Sequence, residues 1–156
     1  EKLGIKAFFC SDVCAMYKRE IFEKLGGFIK KVIFNEDSIF AGGAIKKGYI
    51  IAYNAEARVI HSHNYGNMEQ FRRNFDLGVS QKQHPEVFEG IKSESEGIRL
   101  VKKTIVHLWN NKCKMQILPM IVQSGFKFLG YKFGKNYTKL PKSFVIKCSM
   151  NKSYWQ

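Results

Sequence analysis

Cysteine and proline are scarce in this sequence of 156 residues, with 4 Cys and 3 Pro, and its 13 Gly form no repeat. Collagen-like, low-complexity and disulfide-rich classes are therefore excluded. The four cysteines lack the C-x-x-C spacing of zinc fingers. Because no secretory signal is in view, we expect reduced thiols in a cytoplasmic protein. No apolar run approaches the roughly 18 residues of a membrane-spanning helix. An apolar content of 45% nevertheless predicts about one domain with a packed core.

Acidic residues are absent from the end of the chain. Residues 97–156 contain twelve Lys or Arg and no Asp or Glu, which accounts for most of the net charge of +13. A region of one charge predicts a polyanionic partner, such as nucleic acid, an anionic membrane surface or a phosphorylated substrate. The chain begins at Glu1 with no initiator Met and no signal peptide, so we expect a fragment of a longer protein.

Alternation of helix and strand signals predicts an α/β fold. The predicted strands are rich in β-branched and aromatic residues and cover Ala7–Tyr17, Tyr49–Tyr53 and Ala57–His61. The predicted helices cover Lys18–Leu25, Glu36–Lys47 with Asn35 as N-cap, a segment from Asn67 to the break at His84-Pro85, an amphipathic segment around residues 98–109, and Met115–Leu129. We therefore expect an α/β part over 1–90 and a basic, helical, amphipathic extension over 91–156.

Two adjacent carboxylates, Glu36 and Asp37, stand where the second helix should begin. One interpretation is structural, because negative charge at a helix N-terminus is favoured by the helix dipole. The other is catalytic: one carboxylate acts as general base toward a hydroxyl, and its neighbour orients it or binds substrate.

Two histidines, His61 and His63, end the last predicted strand. Alternation along a strand would place both on the same side, where one could meet a metal ion. No set of Cys and His residues completes a zinc site, so a hard divalent ion held mainly by carboxylates is the alternative. The sequence contains neither a phosphate-binding glycine loop nor a G-x-S-x-G motif.

The order of these motifs resembles the second half of family 2 glycosyltransferases of the GT-A fold. The segments are AMYKREIFEKLGGF (15–28) and NEDSIFAGGAIKKGYIIAYNAEARVIHSHNY (35–65). QFRRNFDLGV (70–79) and LGYKFGKNYTKLPKSFVIKCSMNKSYW (129–155) resemble the C-terminal region of the rhamnosyltransferase-like branch. The resemblance covers about residues 8–155 and implies the acceptor-side half of a Rossmann-like GT-A domain, followed by the basic extension.

The resemblance implies an inverting transfer of a sugar, such as rhamnose, from a nucleotide-sugar to an acceptor in bacterial surface polysaccharide synthesis. Asp37 corresponds to the family's catalytic base, with Glu36 beside it. Ser11 and Asp12 fall where the family lines the donor-sugar pocket. His61, with His63 as the alternate, corresponds to the metal-associated histidine, and the metal would be Mg²⁺ or Mn²⁺.

Departures from the family pattern limit this interpretation. The nucleotide-binding half with its D-x-D motif is absent from the chain, so the fragment alone is not expected to catalyse transfer or hold the ion. Gly43 replaces an arginine found in many members, which leaves the donor sugar open. A processive synthase is not expected, because the sequence has no Q-x-x-R-W motif.

The partners implied are a nucleotide-sugar donor and a glycan or lipid-linked acceptor. The basic segment 97–156 predicts binding to an anionic membrane surface, at the inner face of the cell membrane. A homodimer is a further expectation, whereas nucleic acid is not an expected partner. The alternative function is a non-catalytic basic module that binds nucleic acid or acts as an adaptor at a membrane surface.

Overall fold

The structure is a computed structural model that describes residues 10–90 and 93–156. Seven α-helices lie within these ranges: α1 Arg19–Lys24, α2 Glu36–Lys46, α3 Asn67–Gln83, α4 Pro85–Phe88, α5 Ser93–Asn110, α6 Ile117–Lys135 and α7 Lys142–Cys148. Short 3-10 helices cover Asp12–Cys14, Lys114–Gln116, Tyr137–Lys139 and Lys152–Trp155. The predicted helices are therefore present, and the helix predicted to end at Leu129 continues for six residues to Lys135.

The predicted α/β fold is wrong for the described residues, which contain no strand and no sheet. Residues 10–17 form a 3-10 turn with flanking extended chain, while Ala7–Phe9 lie outside the described residues. Tyr49–Tyr53 and Ala57–His61 are neither helical nor paired, and Ile50 is 92% exposed. A strand needs the backbone of a neighbouring strand for its hydrogen bonds, and β-branched composition alone does not supply one.

Helices α3 and α6 pack against each other through glycines. A Cβ atom on Gly130 would lie 2.9 Å from the backbone carbon of Phe71, and one on Gly134 would lie 2.9 Å from that of Phe75. On α3, a Cβ at Gly78 would lie 2.9 Å from the backbone nitrogen of Lys135. Real Cβ atoms do not approach so closely, so only glycine permits the two backbones to come this near.

The main hydrophobic core contains residues from both ends of the chain: Ile33, Phe75, Val79, Val145 and Cys148. Trp155 and Tyr154, near the C-terminus, pack against this cluster. A second cluster joins α2 to α4 through Ile39, Val87 and Phe88. The boundary predicted near residue 90 stays a prediction, but the side chains on its two sides share one core.

A buried carboxylate joins α3 to the C-terminal segment. Asp76 is 2% exposed and accepts hydrogen bonds from Ser149 Oγ (2.7 Å), the Met150 N–H (2.9 Å) and the Asn151 N–H (3.0 Å). These donors follow α7 directly, so the carboxylate fixes the path of the chain toward Trp155. No helix in residues 10–90 and 93–156 is long and apolar enough to cross a membrane.

Candidate functional site

The Glu36-Asp37 pair lies at the N-terminus of α2, as the sequence predicts. Asn35 precedes it with a positive φ of 64°, a backbone conformation that asparagine tolerates better than most residues. This turn leaves Glu36 exposed and Asp37 half-buried. Asp37 Oδ1 accepts the N–H of Ser38 at 2.6 Å, and the helix N-terminus favours the negative charge of both side chains.

The structure brings Asp12 next to Asp37 across 25 residues of sequence. The Asp12 N–H donates a long hydrogen bond of 3.4 Å to Asp37 Oδ2. Asp12 is the first residue of the 3-10 turn Asp12–Cys14, and Ser11 is its N-cap. The predicted substrate-binding residues and the predicted general base therefore lie together, on the same side of the molecule.

Tyr17 belongs to this site, although no sequence motif marks it. Its hydroxyl donates a hydrogen bond to the Asp12 carboxylate and lies 3.2 Å from the Cys10 sulfur. Burial raises the pKa of the Tyr17 hydroxyl, and its hydrogen bonds with Asp12 and Cys10 raise it further, so it remains a donor. An aromatic residue in an apolar run gives no sequence signal that separates this role from core packing.

Aromatic rings surround Tyr17. Its ring centre lies 5.7 Å from that of Phe22 and 5.5 Å from those of Phe28 and Phe40. The same side bears an open groove of about 480 Å³ lined by Tyr17, Arg19, Phe22, Glu23 and Phe28. The site therefore brings together Asp12, Asp37 and the Tyr17 hydroxyl. Beside them lies a groove with aromatic walls and two charged residues, Arg19 and Glu23.

The two candidate metal histidines contact each other. His61 Nε2 and His63 Nε2 are 2.8 Å apart, so the N–H of one ring donates a hydrogen bond to the unprotonated nitrogen of the other. His63 stacks on Tyr65 at 4.8 Å, and the Arg73 guanidinium lies 5.8 Å from the centre of the Tyr65 ring. Desolvation lowers the pKa of His63, and the neighbouring His61 and Arg73 lower it further. Among the described contacts, none links this pair to Glu36 or Asp37.

The described residues do not by themselves fit a divalent ion. No group of three or more His, Cys, Asp or Glu side chains in residues 10–90 and 93–156 is close enough to hold a metal. The histidine pair supplies two nitrogens, whereas Mg²⁺ and Mn²⁺ are held mainly by oxygen ligands. The predicted Mg²⁺ or Mn²⁺ therefore stays a prediction, and no chemical step is derived through it.

Two curated proteins match the chain closely. They are the O-antigen chain rhamnosyltransferase RfbN of Salmonella typhimurium strain LT2 and the O-antigen chain rhamnosyltransferase WbaN of Salmonella anatum. Each is 44% identical over 158 aligned residues, covering 99% of this chain and 49% of the relative. The chain thus spans about half the length of these relatives. No family model and no solved structure matches it.

The comparison supports the predicted rhamnosyltransferase resemblance, since an identity of 44% extends over nearly the entire chain. Family 2 membership, the assignment to a C-terminal half and the roles of the six predicted site residues stay predictions. The candidate site therefore places the Asp37 carboxylate, whose two oxygens accept backbone N–H groups, beside Asp12. The chain that carries this site is similar to part of two rhamnosyltransferases.

Proposed function

We propose that this chain is part of a glycosyltransferase that adds a sugar, rhamnose, to a growing surface polysaccharide of the O-antigen type. The observation that carries the proposal is the identity of 44% to two O-antigen chain rhamnosyltransferases over 99% of the chain. Because the chain spans about half of each relative, the activity belongs to the whole protein. Its donor would be a nucleotide-sugar and its acceptor a glycan or lipid-linked glycan at the inner face of the membrane.

In this proposal Asp37 is the general base. It takes the proton of an acceptor hydroxyl while that oxygen attacks the anomeric carbon of the donor sugar. The bond from that carbon to the nucleotide diphosphate breaks, the nucleotide leaves with the bonding electrons, and attack from the opposite face inverts the configuration. The N–H groups of Ser38 and Asp12 support this role, because they fix both carboxylate oxygens without protonating either.

The neighbouring residues take supporting roles. Glu36 is exposed beside Asp37, where it can bind the acceptor. The turn at Ser11 and Asp12 lies against the base, so a donor sugar held there would have its anomeric carbon close to the attacking hydroxyl. The aromatic groove beside Tyr17 offers apolar faces on which a sugar ring can stack.

The test is an assay of nucleotide release by the natural full-length protein with a panel of sugar nucleotides and a polysaccharide acceptor. We expect turnover with one donor, and a loss of about a hundredfold or more for Asp37→Asn, the scale of a missing general base. Inversion is read from the anomeric configuration of the product. Equal turnover by the wild type and the variant would remove Asp37 from the chemistry.

The matched control is Glu20→Gln. Glu20, like Asp37, is an acidic residue in the first turn of a helix, here α1, so its neutralisation reproduces the change in helix-dipole interaction. We expect this control to keep wild-type turnover. If both variants lose activity equally, a general effect of helix-start carboxylates on folding explains the result, and the base assignment fails.

A further inference from the structure

Exposed apolar side chains lie among the lysines of α5. Ile98, Val106 and Trp109 are each more than half exposed. Together with Lys102, which is also exposed, they follow a spacing of three or four residues and so share one face of the helix. This face carries apolar groups with a positive charge between them.

The exposed apolar region continues beyond the end of α5. The Lys114 ammonium lies 4.0 Å from the centre of the Trp109 ring, a cation–π contact that joins the end of α5 to the next turn. Met115 is 93% exposed and Leu118 is 70% exposed, and Ile121 and Val122 are exposed on the first turns of α6. The exposed side chains of residues 98–122 together form the basic-apolar surface of the chain.

We propose that the basic-apolar surface docks onto an anionic lipid bilayer. Residues 98–122, which form this surface, hold five Lys or Arg and no Asp or Glu, so the complementary partner is negative. Anionic phospholipid headgroups supply that negative charge, and each lysine close to the membrane surface makes binding more favourable. Trp109 would lie among the lipid headgroups, where tryptophan is enriched, and the aliphatic side chains would insert to the boundary of the acyl chains.

A second copy of the chain is a poorer occupant. A two-fold interface brings the same surface of both subunits together, so each lysine would face the lysines of its partner. No Asp or Glu in residues 97–156 is present to compensate this repulsion.

Nucleic acid is also a poorer occupant. It is bound through phosphate contacts and through stacking of bases on aromatic rings. Met115, Leu118, Ile121 and Val122 are aliphatic or thioether side chains and would gain nothing from such contacts. A bilayer uses the lysines and the aliphatic side chains together.

This proposal is independent of the sugar-transfer proposal, because none of its residues lies in the Asp12 turn or on α2. The test is co-sedimentation of the natural full-length protein with vesicles of phosphatidylcholine, with and without phosphatidylglycerol. We expect binding that requires phosphatidylglycerol and weakens with salt. Among the variants, Met115→Ser with Leu118→Ser should lower the partition coefficient at least about tenfold, as expected for losing two inserted apolar groups.

The control for that variant is Ile50→Ser with Ile60→Ser, which removes two strongly exposed apolar side chains from another part of the chain. It should leave partition unchanged. For the charge, Lys102→Gln should lower partition about fivefold, whereas Lys30→Gln, also at an exposed lysine, should not. Circular dichroism checks that each variant keeps its helix content.

Three results would overturn the proposal. The first is unchanged vesicle binding by the Met115→Ser, Leu118→Ser protein. The second is failure of the full-length protein to bind phosphatidylglycerol vesicles, which would mean that another part of the protein covers this surface. The third is tighter binding to a duplex oligonucleotide than to vesicles, with no effect of the apolar substitutions, which would assign the surface to nucleic acid.

Discussion

At the scale of single residues, the hydroxyl of Tyr17 ties the Asp12 turn to the aromatic cluster beside it. It donates to the Asp12 carboxylate, and the Asp12 N–H in turn reaches Asp37. In the proposed mechanism Tyr17 is a positioning residue, because it acts on the base through the turn rather than on the acceptor. Asp12 and Asp37 are 25 residues apart in the sequence, so only the family resemblance indicated that they lie close together. Neither the residue pattern nor the resemblance indicated the role of Tyr17.

Asp76 is a different kind of carboxylate, because it is buried in the core rather than placed at a site. Burial raises its pKa, while the hydrogen bonds from Ser149, Asn151 and Met150 act in the opposite direction. Removal of the Asp76 carboxylate from water raises its pKa by more than the three hydrogen-bond donors lower it. The folded protein therefore holds the Asp76 proton more tightly than the unfolded chain does.

Because of this raised pKa, we expect the free energy of unfolding to fall as the pH rises and Asp76 ionises. Between the ordinary value of 3.8 and the raised value, unfolding releases the Asp76 proton, so a higher pH favours the unfolded chain. The contribution of Asp76 to the free energy of unfolding is fully present at pH values below its ordinary pKa of 3.8. It is lost as the pH rises through the higher pKa of the folded state. Asp76→Asn cannot titrate, so urea unfolding across this pH range should show a shallower decline for the variant.

Ser149→Ala is the companion variant for this prediction. It removes one hydrogen bond that lowers the Asp76 pKa, so the pH range over which stability declines should become wider than in the wild type. Parallel stability curves for the wild type and Asp76→Asn would contradict the prediction, because they would mean that Asp76 titrates alike in the folded and unfolded states.

At the scale of elements, the helices could be predicted because their signals are local. Asn35 and the acidic pair mark the start of α2, and Pro85 marks the break after α3. The strands could not be predicted correctly, since a strand depends on a partner that neighbouring residues do not provide. The glycine contact between α3 and α6 joins residues more than 50 positions apart. The predicted helix also ended at Leu129, so no local signal gave Gly130 a role in helix packing.

The α3–α6 contact predicts opposite effects for glycine substitutions on one helix. Gly130→Ala or Gly134→Ala would push a methyl group into the backbone of Phe71 or Phe75, and we expect a loss of at least about 1–3 kcal/mol of unfolding free energy. Gly125→Ala meets no atom within 4 Å and should gain about 0.5–1 kcal/mol from helix propensity. Urea denaturation measures both, and equal effects at the three positions would refute the close contact.

At the scale of the whole molecule, the two halves of the chain depend on each other. Phe75 and Val79 of α3 are fully buried, and their cover includes Val145 and Cys148 of α7. The Tyr154 hydroxyl donates to Gln83 at 3.0 Å, and Tyr131 donates to Gln81 at 2.7 Å. The basic C-terminal half thus supplies part of the core as well as the basic-apolar surface.

This shared core predicts a single cooperative unfolding transition for the 156-residue chain. In a Trp109→Phe variant, whose single tryptophan is Trp155, fluorescence reports on the C-terminal end of the core, and far-ultraviolet circular dichroism reports on the helices of both halves. We expect the two urea midpoints to coincide. Residues 1–90 produced alone should show no cooperative transition, because α6 and α7 no longer cover Phe75 and Val79. Adding residues 91–156 as a separate chain should restore helix content if the same contacts form. Two separate transitions, or cooperative unfolding of 1–90 alone, would instead show that the halves fold independently and that the α3–α6 contact adds little to stability.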